Sequence, residues 1–525
     1  MEFFTLLSHM ASSLGSILIN PLALLLLFGS VLLGIIFGAL PGLTATLGVA
    51  LLTTLTYGLD STLAMVSLLG IYVGAVYGGS YSAVLLNIPG TPASAATALD
   101  GYPLACKGEA GKALGITTTS SAIGTVVGML AVLAFSPIIS RLALQFTSFE
   151  FFLLAFFGIL ISGSLVTPDL VLKGWIAGFL GLFLALVGRD RLQSFPRFTM
   201  GLAQLDSGID VVPVLLGAFG IPQIIQALKD RIAIKEVQKV GRVAPEFGTV
   251  LKRFPDIVRS ALIGVGIGAV PGLGEDIAAW TSYGTAKRLS KHPEEFGKGS
   301  YSAIVATETA NNSCIGGALI PLYTLGIPGS PPAAMLLGAL MLHGLNPGPL
   351  LLIENPRFLP ETGAILVLAA AAMWIMGLYM TKQVIRILRI PQAILMPVVG
   401  LLCIIGSYSL GNNIFNLYLM VPVGVLSYFL GEMGYPIAPL VIGMILGPMA
   451  DESLRRALMV SNGSFLPMFT RPVSLILVIM IALTFLSQLP FMKALNARLS
   501  RVGKVAAPAS CECNEKDTGS DQEGG

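Results

Sequence analysis

Long apolar runs dominate the chain. Residues 21–40, 366–380 and 473–489 approach or reach the ~20 residues that carry a helix across a bilayer. Two related phrases interrupt this pattern. The first is Asn87-Ile88-Pro89-Gly90-Thr91-Pro92-Ala93-Ser94, the second Gly326-Ile327-Pro328-Gly329-Ser330-Pro331-Pro332-Ala333. Proline removes a backbone donor and restricts the residue before it, and glycine admits conformations closed to other residues. Each phrase therefore breaks a membrane helix. Broken backbone at membrane depth is tolerated where it is buried in protein or lines a cavity. The pattern predicts an all-α polytopic membrane protein with broken helices or re-entrant hairpins at Pro-Gly turns and about a dozen membrane segments, by the length rule.

The halves echo each other. Gly38-Ala39-Leu40-Pro41-Gly42-Leu43 matches Gly268-Ala269-Val270-Pro271-Gly272-Leu273, Gly78-Gly79 matches Gly316-Gly317, and the Ile-Pro-Gly turns follow. Between the halves, residues 229–259 hold eight Lys and Arg against four acids, which places this linker in the cytoplasm. Lys287, Arg288, Lys291 and Lys298 are basic as well, so residues 263–283 read as a hairpin bent at Pro271-Gly272 that enters and returns on one side. In the first half the flanks of Pro41-Gly42 lack Lys and Arg and read as external. The two halves then insert with opposite orientation, as inverted-topology repeats. Lys107, Lys112, Lys382, Arg386 and Arg389 fall inside and Glu354, Arg357 and Glu361 outside. Arg189, Arg191, Arg197, Arg455 and Arg456 disagree with this count. The expected organisation is a first membrane repeat over residues 1–228, a basic cytoplasmic linker over 229–259, a second repeat over 260–492, and a polar, disordered tail over 493–525.

Composition agrees with a membrane protein: 54% of residues are hydrophobic and 11% charged, with a mean hydropathy of +0.82, against about 25% charged in soluble domains. The net charge of +3 points to no partner, nucleic acid included. No Lys or Arg precedes the first apolar run, which reads as a transmembrane helix rather than a cleaved signal peptide. Cys106, Cys314 and Cys403 read as small core residues. Cys511 and Cys513 lie in the tail, where nothing completes a metal site.

Several motifs carry a family resemblance. Val76-Tyr77-Gly78-Gly79-Ser80, Asn87-Ile88-Pro89-Gly90-Thr91-Pro92, Ala98-Leu99-Asp100-Gly101-Tyr102-Pro103, Phe296-Gly297-Lys298-Gly299, Glu308-Thr309-Ala310-Asn311-Asn312 and Leu325-Gly326-Ile327-Pro328-Gly329-Ser330 occur in order. Together they resemble the large membrane subunit of tripartite tricarboxylate transporters, over nearly the whole chain up to the tail. The resemblance implies a multi-pass secondary transporter of the bacterial inner membrane that imports di- or tricarboxylates by symport. It implies two partners, a small membrane subunit and a periplasmic substrate-binding protein, and coupling to a sodium or proton gradient, with no other cofactor. Glu275-Asp276, after Pro-Gly-Leu-Gly, departs from a stretch that is often uncharged in the family.

A carboxylate crossing a membrane needs fixed donors in place of water. Helices that begin just after a break offer free N–H groups and the positive end of the helix dipole. Gly90, Thr91 and Ser94, with Gly329 and Ser330, are thereby candidate substrate ligands, the alternative being turns that only kink packed helices. Asn87 either binds substrate or caps the break. Glu308, Asn311 and Asn312 lie at i, i+3 and i+4, so they share one helix face. Polar groups in a span are costly and tend to face cavities, and oxygen-rich sites suit hard cations. Asn311 and Asn312 are assigned to substrate and Glu308 to cation coupling, against plain helix–helix hydrogen bonding. Glu275 and Asp276 are either cation-coupling groups or first-turn acids steadied by the helix dipole. Asp100 and Lys107 read as a gate salt bridge or a solvated edge, and Glu432, Asp451 and Glu452 as interfacial caps.

Two other classes compete: a non-transporting scaffold or receptor subunit, and an intramembrane enzyme. For the enzyme, Gly78-Gly79-Ser80 suggests a nucleophile, but it needs a positioned base. The three histidines, His9, His292 and His343, lie far apart in sequence, and no H-E-x-x-H motif occurs.

Overall fold

The fold is that of a computed structural model, which describes residues 2–166, 171–229, 238, 240–388, 392–409 and 412–488. Arg389, residues 230–237 and 239 of the basic linker, and the tail with Cys511 and Cys513 lie outside the described residues. Among these residues the protein is helical, with one two-stranded antiparallel hairpin pairing Gly188 with Arg197 and Arg189 with Pro196. Seven helices are long and apolar enough to cross a membrane, and seven shorter apolar helices accompany them.

The local signals read in the sequence act where helices start and stop. Asn20 accepts hydrogen bonds from the Leu22 and Ala23 amides at 3.0 and 3.3 Å, and Pro21 opens the Pro21–Ala39 helix. This helix stops at Leu40 and the chain turns at Pro41-Gly42, where Gly42 has φ +90°. The Ala45–Leu55 helix follows, capped by Thr44, and then the Ser61–Leu86 helix, capped by Asp60. That helix ends with Asn87 in the left-handed region, at φ 54°. After a short turn at Pro92–Ser94 come the Ala95–Cys106 and Ala110–Ala143 helices.

The second half repeats the order. The Phe254–Gly268 helix turns at Pro271-Gly272, with Gly272 at φ +81°, into the Gly274–Leu289 helix. The bend expected within residues 263–283 is present. The Tyr301–Leu325 helix then ends on Gly326 at φ 70°, and the Pro331–Leu342 and Phe358–Tyr379 helices follow.

These elements pack closely because small residues line their contacts. A Cβ at Gly34 would lie 2.4 Å from the Ile71 carbonyl oxygen, and one at Gly264 would lie 2.2 Å from that of Ala310. The halves meet in the same way, for a Cβ at Gly316 would fall 2.2 Å from the Gly128 carbonyl oxygen. Outer helices surround this core. Ser148–Val166 and Val171–Ala185 pack against Ile437–Val460, and Val211–Lys229 packs against Phe415–Glu432 and Gln392–Ser409. Their outward faces carry exposed Leu172, Leu401, Tyr418 and Phe429, the surface that a bilayer covers.

Four of the five arginines that disagreed with the sidedness count form ion pairs. Arg189 pairs with Asp206 at 2.8 Å, Arg197 with Asp451 at 3.0 Å, Arg456 with Glu452 at 2.5 Å, and Arg455 with Asp190. Asp451 and Glu452, read as interfacial caps, are ion-paired instead, and so is Glu432, with Lys229 at 3.0 Å. Cys314 and Cys403 are buried as expected, whereas Cys106 is exposed at the end of its helix, so a core role does not describe it.

Candidate functional site

The two breaks converge on buried polar groups. Gly90 is buried, and a Cβ there would lie 2.0 Å from the Gly38 carbonyl oxygen. Gly329 stands in the same relation to the Gly268 carbonyl oxygen, also at 2.0 Å. Each Ile-Pro-Gly turn thus presses onto the end of the helix that precedes the Pro-Gly bend of its own half, and only glycine lets the backbones meet.

At the first tip, the Ser94 hydroxyl donates to the Thr91 carbonyl at 2.8 Å and accepts from the Thr91 amide at 3.3 Å. The Thr91 hydroxyl is buried and has no hydrogen-bond partner among the described residues. Asn311 reaches this turn from the Tyr301–Leu325 helix, its amide donating to the Ala93 carbonyl at 3.4 Å. One turn further along the Ala95–Cys106 helix, Thr97 Oγ1 donates to Glu308 Oε1 at 2.5 Å. Ser80 Oγ donates to the same oxygen at 2.7 Å and Ser121 Oγ to Glu308 Oε2 at 2.8 Å. Asn312 Nδ2 donates to Asn311 Oδ1 at 2.8 Å, and Thr125 Oγ1 donates to Asn312 Oδ1 at 3.3 Å. Glu308, Asn311 and Asn312 are fully buried. Glu308 belongs to the second half, and its three hydroxyl donors all come from the first.

At the second tip, Ser330 Oγ caps the Pro331–Leu342 helix by accepting from the Ala333 amide at 3.3 Å. It also lies 2.6 Å from the Tyr72 hydroxyl, which donates to Glu275. The Gly274 amide donates to the Gly329 carbonyl at 3.3 Å, which fixes Glu275 and Asp276 in the first helical turn beside the break. Asp276 is half-buried, and its carboxylate faces the backbone amides of Asp276 and Ile277 at the start of the helix. Glu308 and Glu275 have no basic partner among the described residues, and no group of three or more His, Cys, Asp or Glu side chains stands ready for a metal ion there.

The sequence candidates therefore fall into two groups. Gly90, Thr91, Ser94, Glu308, Asn311 and Asn312 gather at the first tip, and Gly329, Ser330, Glu275 and Asp276 at the second. Asn87 joins neither: it is exposed and forms the left-handed cap of its helix. The residues that sequence reading left out are Tyr72, Thr97, Ser121 and Thr125. The hydroxyl run Thr117-Thr118-Thr119-Ser120-Ser121, in an otherwise apolar helix, was the visible signal for one of them. Ser80, suspected as a nucleophile, is committed to Glu308.

Asp100 is neither a gate salt bridge nor a solvated edge. It is fully buried, and its Oδ1 accepts from the Gly297, Gly299 and Ser300 amides at 2.9, 2.9 and 2.7 Å, while its Oδ2 accepts from the Tyr283 hydroxyl at 3.0 Å. Lys107 donates to the Lys298 carbonyl at 2.7 Å. The two quoted motifs around Asp100 and Gly297 thus clasp each other across the halves. Near the second break, a crevice of about 650 Å³ is lined by Leu325, Gly326, Pro347, Asp210 and Arg191, among others.

Residues 24–442 match the tripartite tricarboxylate transporter TctA family. The chain belongs to that family. An uncharacterized 52.8 kDa protein from the region 3′ of ttuC′ in TAR-I of Agrobacterium vitis is 35% identical over 460 residues, covering 87% of this chain and 91% of the relative. A second uncharacterized protein, from the corresponding TAR-II region of the same organism, is 36% identical over 208 residues, 40% of this chain and 86% of its own length. No solved structure matches this TctA-family chain. Family membership makes it a subunit of a tripartite tricarboxylate transporter and a multi-pass membrane protein.

Proposed function

We propose that this subunit carries di- and tricarboxylates across the bacterial inner membrane, driven by a sodium or proton gradient. A periplasmic binding protein delivers the substrate and a small membrane subunit completes the complex. The observation that carries this reading is the convergence of two helix breaks, one from each half, on fully buried Glu308, Asn311 and Asn312 and on Glu275. Paired breaks in matching halves mark the binding sites of secondary transporters.

In this reading Thr91, Ser94, Asn311 and Asn312, with the backbone at Gly90, Gly329 and Ser330, meet the substrate carboxylates. The unpartnered Thr91 hydroxyl is a donor available for that role. Asn87 shapes the first break. Glu308 and Glu275, with Asp276, take the coupling cation. A buried carboxylate without a basic partner is costly unless a proton or a cation joins it. The hydroxyl oxygens of Ser80, Thr97 and Ser121 are hard ligands once their lone pairs turn toward a cation. The repeated element order supports the inverted-repeat arrangement, and the crevice by Gly326 supplies an approach to the second tip.

Uptake of labelled carboxylates into vesicles holding all three subunits tests the reading, with a sodium gradient in one set and a proton gradient in another. Gradient-driven uptake that requires the binding protein is the expected result. No uptake of any carboxylate under either gradient sinks it. The inverted arrangement has its own check: a cysteine near Asp60 is labelled from outside and one near Lys291 from inside, and same-side labelling rejects it.

A further inference from the structure

At the end of the Phe358–Tyr379 span the chain turns into the short Thr381–Leu388 helix. Thr381, Val384 and Leu388 are buried against the protein. Lys382, Gln383 and Arg386 lie on the other face and are exposed. Residues 240–245 run opposite, and between them lies a crevice of about 780 Å³. Its lining includes Arg242, Lys382 and Arg386 together with Leu378, Tyr379 and Ile385, and among the described residues it contains no Asp or Glu.

The three cations are unmatched. Arg242, Lys382 and Arg386 make no ion pair and no side-chain hydrogen bond among the described residues. Elsewhere Arg189, Arg197, Arg455, Arg456, Arg471 and Lys229 each meet an acid. Like charges sharing one concave space repel, and an anion with several acceptor oxygens relieves that repulsion. Position decides which anion. Tyr379 is 77% exposed at the very end of a membrane-spanning helix, the depth of lipid headgroups, where tyrosines concentrate.

We infer that this crevice binds the phosphate headgroup of an anionic phospholipid. The guanidinium groups of Arg242 and Arg386 suit paired hydrogen bonds to phosphate oxygens, and the Lys382 ammonium adds a point charge. The glycerol and the first acyl methylenes lie along Tyr379 and Ile385. The site does not depend on the transport reading, since none of its residues belongs to the two tips.

The test uses the full chain purified in detergent and titrated with phosphatidylglycerol, phosphatidylethanolamine or inorganic phosphate. Bound lipid is counted by native mass spectrometry and the midpoint of thermal unfolding is followed in parallel. Saturable binding of phosphatidylglycerol, well above phosphatidylethanolamine, is expected. Each basic side chain contributes about fivefold at such a surface, so K382Q or R386Q weakens binding about fivefold and the triple variant R242Q/K382Q/R386Q on the order of a hundredfold. Unchanged phosphatidylglycerol affinity in these variants overturns the inference, and so does equal affinity for phosphatidylethanolamine. Equal stabilisation by inorganic phosphate alone overturns it in favour of a soluble anion. Should the triple variant not fold, the single changes at exposed Lys382 and Arg386 decide the matter.

Discussion

Thr97 Oγ1 donates to Glu308 Oε1 at 2.5 Å across a sequence separation of 211 residues, joining the helix behind the first break to the central helix of the second half. The bond means that neither half owns the polar centre. Glu308→Gln keeps the volume and removes the charge. It is expected to abolish gradient-driven uptake with normal membrane insertion. Thr97→Val removes one hydroxyl oxygen beside Glu308 that would ligate a cation, so half-saturation by sodium should rise, roughly tenfold for a loss of about 1.4 kcal/mol, whereas proton uptake by Glu308 should become easier. Asn311→Ala is expected to abolish uptake as well. Full uptake by Glu308→Gln or Asn311→Ala removes that residue from the mechanism.

The clasp at Asp100 is a matter of stability. Four donors converge on one carboxylate, three of them backbone amides of residues 297–300. Asp100→Asn replaces one acceptor oxygen by a donor that faces other donors. With a charged acceptor gone and a buried amide left unmatched, the expected loss is on the order of 2–3 kcal/mol. Thermal unfolding of the purified chain measures it. An unchanged midpoint would show that the clasp contributes little.

Much of this arrangement was legible in the sequence because proline and glycine act locally. The stops at Asn87 and Gly326, the bends at Gly42 and Gly272, and the grouping of Glu308 with Asn311 and Asn312 follow from residues close together in the chain. What was not legible depends on pairing between distant helices. Thr97, Ser121 and Tyr72 look like ordinary small or aromatic helix residues until the other half is packed against them. Asp100 looked like an edge charge for the same reason: its partners are backbone amides nearly 200 positions away, and an amide carries no residue-type signature. The ion pairs of Arg189, Arg197 and Arg455 were hidden in the same way, because their acids sit on other elements.

Glycine at the tips is a steric requirement. Gly329→Ala places a Cβ about 2.0 Å from the Gly268 carbonyl oxygen, inside contact distance with backbone that cannot swing away. Overpacking of this kind costs about 1–3 kcal/mol and shifts the break. Lower stability and impaired uptake are expected together. Gly284→Ala is the control, since no atom lies within 4 Å of a Cβ there, and it should leave both unchanged. Equal behaviour of the two variants would reject the close approach.

His343, in the loop after the Pro331–Leu342 helix, is the last test. Its Nε2 lies 3.3 Å from the Thr56 hydroxyl, so it ties the end of the second break to the end of the Ala45–Leu55 helix. Burial pushes its imidazole below the usual histidine range, only partly offset by a hydrogen bond with the Leu59 backbone and the charge of Asp60. A depressed folded-state value means that the unfolded chain takes up the proton first. This contact's share of stability is then complete above about pH 6.5, the ordinary value, and is lost as pH falls through the folded-state value. Thermal midpoints between pH 7.5 and 5 should fall for the parent chain and fall less for His343→Gln, which cannot take up that proton. Parallel curves for the two proteins would assign the acid sensitivity to other groups.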